Sequence, residues 1–307
     1  MTRPIRVELS AVLVGLAGAG RETTPYVLTQ PGPDLPTRAF DPDEHRTLEL
    51  SLRDWVEGTT GLRLGFVEQL YTFGDSAREA RIAARAAHTV SIGYLAIVSM
   101  QAERKPGSDW RPWGQFFPWE DRRDGIPQML EDDLLPRLRK VNRGASFQDR
   151  VRLAFGLDGY PWRDELVLER YELLYGAGLV AEHFTDRGAD IPEELPAFGR
   201  ALPVDHRRIL ATGIGRLRAK LKYRPVLFEL MADTFTLGDL QDAAEAVTGQ
   251  SLHKQNFRRM ITKSGLIEPT GSLSQRHAGR PAAEYRFARE AEWDRRLATV
   301  RFGGARR

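Results

Sequence analysis

No cysteine occurs among the 307 residues, which excludes disulfides, thiolate zinc sites and a cysteine nucleophile together. Carboxylates and six histidines are then the only conventional metal ligands. His45 and His88 stand far apart in sequence with no acid at ligand spacing, so we expect no metal site. No stretch approaches the roughly 20 apolar residues that a membrane-crossing helix needs. The opening MTRPIRVELSAVLVGLAGAG lacks both a charged region ahead of its apolar run and a small-residue cleavage site. We therefore expect a soluble, cytoplasmic protein with no membrane partner. At 41% apolar residues, a chain of this length can bury one sizeable core and has room for a second.

Acids are scarce in one half only. Residues 1–204 hold 25 Lys and Arg against 31 Asp and Glu, whereas residues 205–307 hold 20 against 11. An acidic front half and a basic rear half have different electrostatic tasks, and the rear one is suited to a polyanion. We place a domain boundary at 204/205.

The front half reads as mixed α/β. IRVELSAVLVGL is a buried strand bounded by AGAG, and PYVLTQ is a second strand after a short turn. PGPDLPTRAFDPDEH reads as a loop, and HRTLELSLRDWVEGT places Leu48, Leu52, Trp55 and Val56 at helical spacing. RLGFVEQLYTF and TVSIGYLAIVSM are further strands of the same sheet. Residues 101–204, with tryptophans at 110, 113, 119 and 162, form a helical insert in this domain, and we expect Trp110, Trp113 and Trp119 to pack it. Past Pro203, Asp205 is a candidate N-cap for a helix facing inward with Leu210, Ile214, Leu217 and Leu221. Pro225 should end it and start another, PVLFELMA.

The remaining segment has a recognisable grammar. Thr236 and Asp239 fit a capping box ahead of Leu237, Leu240, Ala244 and Val247, and Gly249 ends that helix. A second helix, capped by Ser251, should bury Phe257, Met260, Ile261 and Ser264. Its free side then presents Gln255, Arg258, Arg259 and Thr262, flanked by Lys254, Asn256 and Lys263. Two short helices on a tight turn, the second basic and amide-rich outside, match a helix-turn-helix. GLIEPTGSLSQRHAGRPAAEYRF adds strand, hairpin tip and strand, the layout of a winged helix, with Gln275, Arg276 and Arg280 at the tip. Gln255, Asn256, Arg258 and Arg259 are candidate base readers, since amides bond adenine and guanidiniums bond guanine bidentately. Lys254, Lys263, Arg276 and Arg280 are candidate phosphate contacts. The expected partner is double-stranded DNA, with structured RNA as a rival.

SLRDWVEGTTGLRLGFVEQLYTFGD resembles the helix, loop and strand around the catalytic helix of Nudix hydrolases. Aligning the end of that signature on Gly61 and Leu62 puts Arg46, Asp54, Trp55, Gly58 and Thr59 at its charged positions, so every one is replaced. A register one residue away recovers Arg53, Asp54 and Glu57 but leaves the paired acids incomplete. Attack on a diphosphate needs several hard carboxylate oxygens holding Mg2+ on one helix face, so we expect no catalytic residues and no enzyme. A working nucleotide pyrophosphohydrolase with an accessory winged helix is the alternative.

The strand pattern, together with NFRRMITKSGLIE and GRPAAEYRF, resembles the Nudix-related transcriptional regulators of NAD metabolism, the NrtR family. The tryptophan-bearing middle, WGQFFPWED and ERYELLYGAGLVAEH, is similar to the NadQ branch. The resemblance implies an α+β architecture: a Nudix-like, catalytically degenerate sensing domain over 1–204 and a winged-helix domain over 205–307. It further implies a homodimeric repressor of NAD biosynthesis genes, modulated by ADP-ribose, NAD or ATP and requiring no cofactor. Candidate ligand residues are Arg38, Tyr71, Phe73, Asp75, Arg78 and Tyr94, as aromatics stack an adenine and cations hold phosphates. Residues 205–223 lie where coupling between domains would run, and their apolar face makes them a candidate dimer interface.

Overall fold

The computed structural model describes residues 4–30, 32, 34–62, 64–74, 88–100, 109–274 and 281–288. Six strands form one mixed sheet: β1 (Ile5–Ala17), β2 (Thr24–Thr29), β3 (Thr37–Ala39), β4 (Val67–Phe73), β5 (His88–Ile97) and β6 (Asp109–Pro112). Their order is β4-β5-β1-β2-β6, with β3 on β1; β1 and β5 run parallel and the other pairs antiparallel. The long apolar run of β1 follows from this central place, because it is covered on both faces. Leu9, Ala11 and Leu13 point to α1 (Leu48–Thr60), whose Leu52 and Val56 meet them. Val12 and Val14 point to α6 (His206–Leu221), where they meet Ile209, Leu210, Ile214 and Leu217.

Local chemistry sets the ends of α1. Thr47 accepts a bond from the Leu50 amide at the amino end, and Gly61 closes the helix with a left-handed φ of 74°. Three segments depart from the sequence reading. Residues 37–39, read as loop, form β3, because β1 offers them an unpaired edge beyond the reach of β2. Residues 226–230, read as helix, form only a 3-10 turn. Asp205 makes no capping bond; its carboxylate takes Arg208 Nη1 at 2.7 Å instead.

The insert contributes α2 (Leu135–Lys140), α3 (Ala145–Phe155), α4 (Val167–Gly176) and α5 (Ala181–Thr185). Of these, α4 packs along α6 on the side away from the sheet, and α6 is buried almost all round. Two glycines allow the fit: a Cβ on Gly213 would sit 2.9 Å from Val12, and one on Gly215 would sit 2.7 Å from the Glu165 carbonyl. The apolar surface of α6 is thus consumed inside its own chain, which removes the helix face as a dimer interface. The boundary expected at 204/205 falls ahead of this helix, whose partners are in the first sheet. Trp113 and Trp119 are buried in the core that the insert shares, as expected, whereas Trp110 is half-buried and packs on the α1 face of the sheet instead.

The rear unit has its own core of Phe235, Leu240, Ala244, Phe257 and Ile261. It comprises β7 (Phe235–Thr236), α7 (Leu237–Thr248), α8 (Lys254–Lys263), β8 (Ile267–Ser274) and β9 (Ala282–Phe287), with the strands in the order β7-β9-β8. No helix among the described residues is long and apolar enough to cross a membrane.

Candidate nucleic-acid interface and ligand face

The capping box at the start of α7 forms in full. The Asp239 amide donates to Thr236 Oγ1 at 3.1 Å, and the Thr236 amide donates to Asp239 Oδ2 at 2.9 Å. Gly249 ends α7 at φ 68°. α8 then begins at Lys254, two residues later than expected. Its cap position is His253, without a side-chain bond, because Ser251 Oγ donates to the Arg123 carbonyl at 2.7 Å.

Phe257 and Ile261 anchor α8 one turn apart in the rear core. Helical geometry puts Gln255, Asn256, Arg259, Thr262 and Lys263 on the side away from them, with Arg258 at one margin. All six, and Lys254, are exposed. Met260, expected inside, is 62% exposed, since two large anchors already fill the space beneath so short a helix. Ser264 is half-buried and donates to the Ile261 carbonyl. Arg259 Nη2 donates to Asn256 Oδ1 at 3.3 Å, which lines up an amide and a guanidinium on one surface.

Among the described residues, no carboxylate lies in ion-pair reach of Lys254, Arg258, Arg259 or Lys263. Cations elsewhere are mostly spent: Arg38 on Glu44, Arg53 on Glu49, Arg150 on Glu169, Arg216 and Lys220 on Glu68. A helix whose outward charges are left uncompensated inside the chain is suited to meet an external anion. The wing follows as β8 and β9, with Arg286 tied to Glu268 at 2.5 Å across it. Its tip candidates Gln275, Arg276 and Arg280 lie outside the described residues.

The ligand candidates separate. Arg38 pairs in register with Leu9 and Tyr94 with Ala11, which puts both on the α1 face of the sheet. Arg38 Nη2 is held by Glu44 Oε2 at 2.5 Å, and the Tyr94 hydroxyl donates to Gln69 Oε1 at 3.4 Å. Burial and, secondarily, the nearby Glu49 push the Tyr94 phenol above its ordinary value. Phe73 lies on the opposite face, where it packs with α6 above Gly93. Tyr71 is 55% exposed, with the Arg216 guanidinium 5.6 Å from its ring centre. A bulge between Gln69 and Thr72 shifts the register here, and both Tyr71 and Phe73 lie toward α6, away from Arg38 and Tyr94. Asp75 and Arg78 lie outside the described residues.

Two of the three acids of α1, Glu49 and Asp54, are already engaged. Glu49 holds Arg53, whose guanidinium also donates to the Leu64 carbonyl at 2.7 Å and to the Gly65 carbonyl at 3.3 Å. Asp54 meets His45 Nε2 at 3.2 Å. Among the described residues no group of three acids or histidines could hold a metal ion. A cleft of about 510 Å3 is elsewhere: it separates the two units between Gly65, Ile97, Phe228, Glu229, Asp233 and Phe287.

Residues 227–287 match the family model of the NrtR DNA-binding winged helix domain. The rear unit is thus similar to the NrtR winged helix. Over 87 residues the chain is 39% identical to the ADPR responsive transcriptional repressor NtrR of Acinetobacter baylyi, an alignment covering 28% of this chain and 34% of that protein. The chain thus matches about a third of the length of this curated relative. In overall fold it is similar to Shewanella oneidensis NrtR complexed with a 27mer DNA, at TM-score 0.53 and 18% identity, with 93% of this chain and 94% of that chain covered. A MutT/nudix family protein from Enterococcus faecalis follows at TM-score 0.50 and 14% identity, covering 94% and 87%. At such identities these likenesses establish the fold alone, a Nudix-like α/β domain joined to a winged helix.

Proposed function

We propose that the protein is a transcriptional repressor that binds a double-stranded operator through α8 and the wing and is controlled by an adenine nucleotide on its Nudix-fold domain. The carrying observation is the exposed face of Gln255, Asn256, Arg258 and Arg259, flanked by Lys254, Thr262 and Lys263 and left without carboxylate partners among the described residues. The similar Acinetobacter protein is named an ADPR responsive repressor, which puts ADP-ribose ahead of NAD and ATP as effector. On this reading Arg38 and Tyr94 belong to the nucleotide site on the α1 face, and Asp75 and Arg78 contribute to it. Tyr71 and Phe73 fit that site less well, being on or toward the other side of the sheet.

The same reading assigns no catalysis to the Nudix-fold domain. Glu49 and Asp54 are engaged by Arg53 and His45, and one exposed acid, Glu57, does not make the multi-oxygen cage that Mg2+ needs for this chemistry. Repression is of NAD biosynthesis genes, by a homodimer whose two winged helices span the halves of a palindrome. A ligand shifts such a system only if it and the DNA prefer different arrangements of the protein.

Footprinting on the promoters neighbouring its own gene, with and without ADP-ribose, NAD and ATP, tests the reading. Protection of a palindromic site that one nucleotide alters is the expected result. Sequence-indifferent binding, or preference for structured RNA at fixed salt, would contradict it. Incubation with Mg2+ and ADP-ribose should give turnover well below about 1 per second; a rate in the ordinary enzyme range establishes the pyrophosphohydrolase instead.

A further inference from the structure

The winged helix is pinned to the rest of the chain at the carboxyl end of α7. There Gly249 lies so close to the insert that a Cβ on it would sit 2.2 Å from the Glu120 carbonyl. The Arg122 amide donates to the Gly249 carbonyl at 2.7 Å, and Ser251 Oγ donates to the Arg123 carbonyl at 2.7 Å. From the other side, Arg218 Nε of α6 donates to the Val247 carbonyl at 2.8 Å. Loop 120–124 is itself clamped to the first sheet, since Arg123 Nη1 donates to the Thr23 carbonyl at 2.8 Å.

Beneath this seam lies a buried charge cluster. Glu120 is 2% exposed and takes Arg170 Nε at 2.5 Å and Nη2 at 2.8 Å, while its other side receives Arg218 Nη1. The guanidiniums spend their remaining donors on carbonyls: Arg170 on Ala154, Arg163 and Asp164, Arg218 on Asp164 and Glu120. One carboxylate therefore joins the insert to the helix on the Nudix sheet, and through Arg218 Nε that helix holds the first helix of the winged unit. A buried ion cluster of this kind stabilises little compared with an apolar core, but its directional bonds admit one geometry. Elsewhere on the seam, clefts of about 510 and 260 Å3 flank residues 226–235 and leave the winged unit without close packing there.

We propose that Glu120, Arg170 and Arg218 are positioning residues for base readout: through loop 120–124 they fix the turn at 249–253, and so the angle at which α8 meets a duplex. The inference rests on the DNA-binding reading above, and it gives the insert a role, as the bracket that orients the winged helix on its sensor.

Gly249→Ala tests it by driving a methyl group into the Glu120 carbonyl and to 3.1 Å from Arg218 Nη2, where the cluster meets the turn, while leaving the rear core in place. Gly188→Ala is the control, because Gly188 has the same left-handed φ of 65° with open space around it. Two readouts are taken on the full chain. The first is affinity for the footprinted operator and for a scrambled duplex of equal length at fixed salt. The second is the spin-label distance distribution between Glu57→Cys and Ser272→Cys, two exposed sites in a chain with no other thiol.

Gly249→Ala should lose about tenfold or more on the operator and less than about twofold on the scrambled duplex. Its distance distribution should shift or broaden, with Gly188→Ala unchanged on both counts. Unaltered operator affinity and distances overturn the proposal, as does an equal loss on both duplexes with unchanged distances, which marks a structural effect alone. If Gly249→Ala does not fold, Arg218→Lys carries the same readouts, keeping the charge but unable to bridge Glu120 and the Val247 carbonyl together. A parent protein that binds both duplexes alike overturns the DNA-binding reading; the distances then still show whether the seam fixes the two units.

Discussion

Arg258 and Lys263 are both exposed on α8, yet their loss should be felt differently. A guanidinium at the margin beside Gln255 can bond a base edge bidentately, so Arg258→Ala is expected to weaken the preferred site by about 1–3 kcal/mol and to relax one position of it. The ammonium of Lys263 is a point charge for phosphate; Lys263→Ala should weaken every sequence alike and flatten the dependence of affinity on salt. Titrations on specific and random duplexes at two salt concentrations separate them, and equal losses for both variants on both duplexes would refute the division. The spacing of Phe257 and Ile261 already told which side of α8 is free, because helical periodicity needs no tertiary information. Met260 was misplaced for the opposite reason: an apolar residue at the edge of a narrow face is turned in or out by the volume available beneath it.

At the scale of elements, capping chemistry was legible where it is purely local. Thr236, Asp239 and Gly249 behave as their types predict, and Thr236→Ala should cost about 1 kcal/mol in a thermal or denaturant unfolding measurement. An unchanged midpoint would mean that the pairing of β7 with β9 holds the start of α7 without the cap. Ser251 was equally suited by type to cap α8, but a carbonyl from residue 123 competes for its hydroxyl, and no pattern within the helix signals that. β3 and β6 escaped notice because strands of three and four residues owe their existence to the neighbours they pair with. α6 shows the limit of amphipathic reasoning. Its apolar stripe was visible, but the insert that buries its second side is brought there by tertiary packing.

For the whole molecule, the charged seam makes a statement about pH. Burial pushes the Glu120 carboxyl up, but the adjacent guanidiniums of Arg170 and Arg218 outweigh it and hold the group below the usual carboxylate range. A carboxylate whose folded value lies below its unfolded one, about 4.3, adds stability above that value and loses it as pH falls through the folded one. The seam should therefore persist from about pH 8 down to about pH 5 and fail only in stronger acid. Spin-label distances between the two units, followed from neutral to acid pH, test this. A change centred near pH 6 would point to histidine and against Glu120.

The division into an acidic front and a basic rear, the strands β1, β2, β4 and β5, both helices of the helix-turn-helix and the shortage of catalytic acids on α1 were all determined by the sequence alone. Each depends on residue type and short-range spacing, which the chain carries with it. Only the tertiary structure decided that α6 belongs with the first sheet, that Phe73 and Tyr94 occupy opposite faces, and that Glu120 gathers Arg170 and Arg218 from 50 and 98 residues away. Those outcomes depend on which surfaces compete for the same volume, and on charges that become partners only when burial leaves them no water.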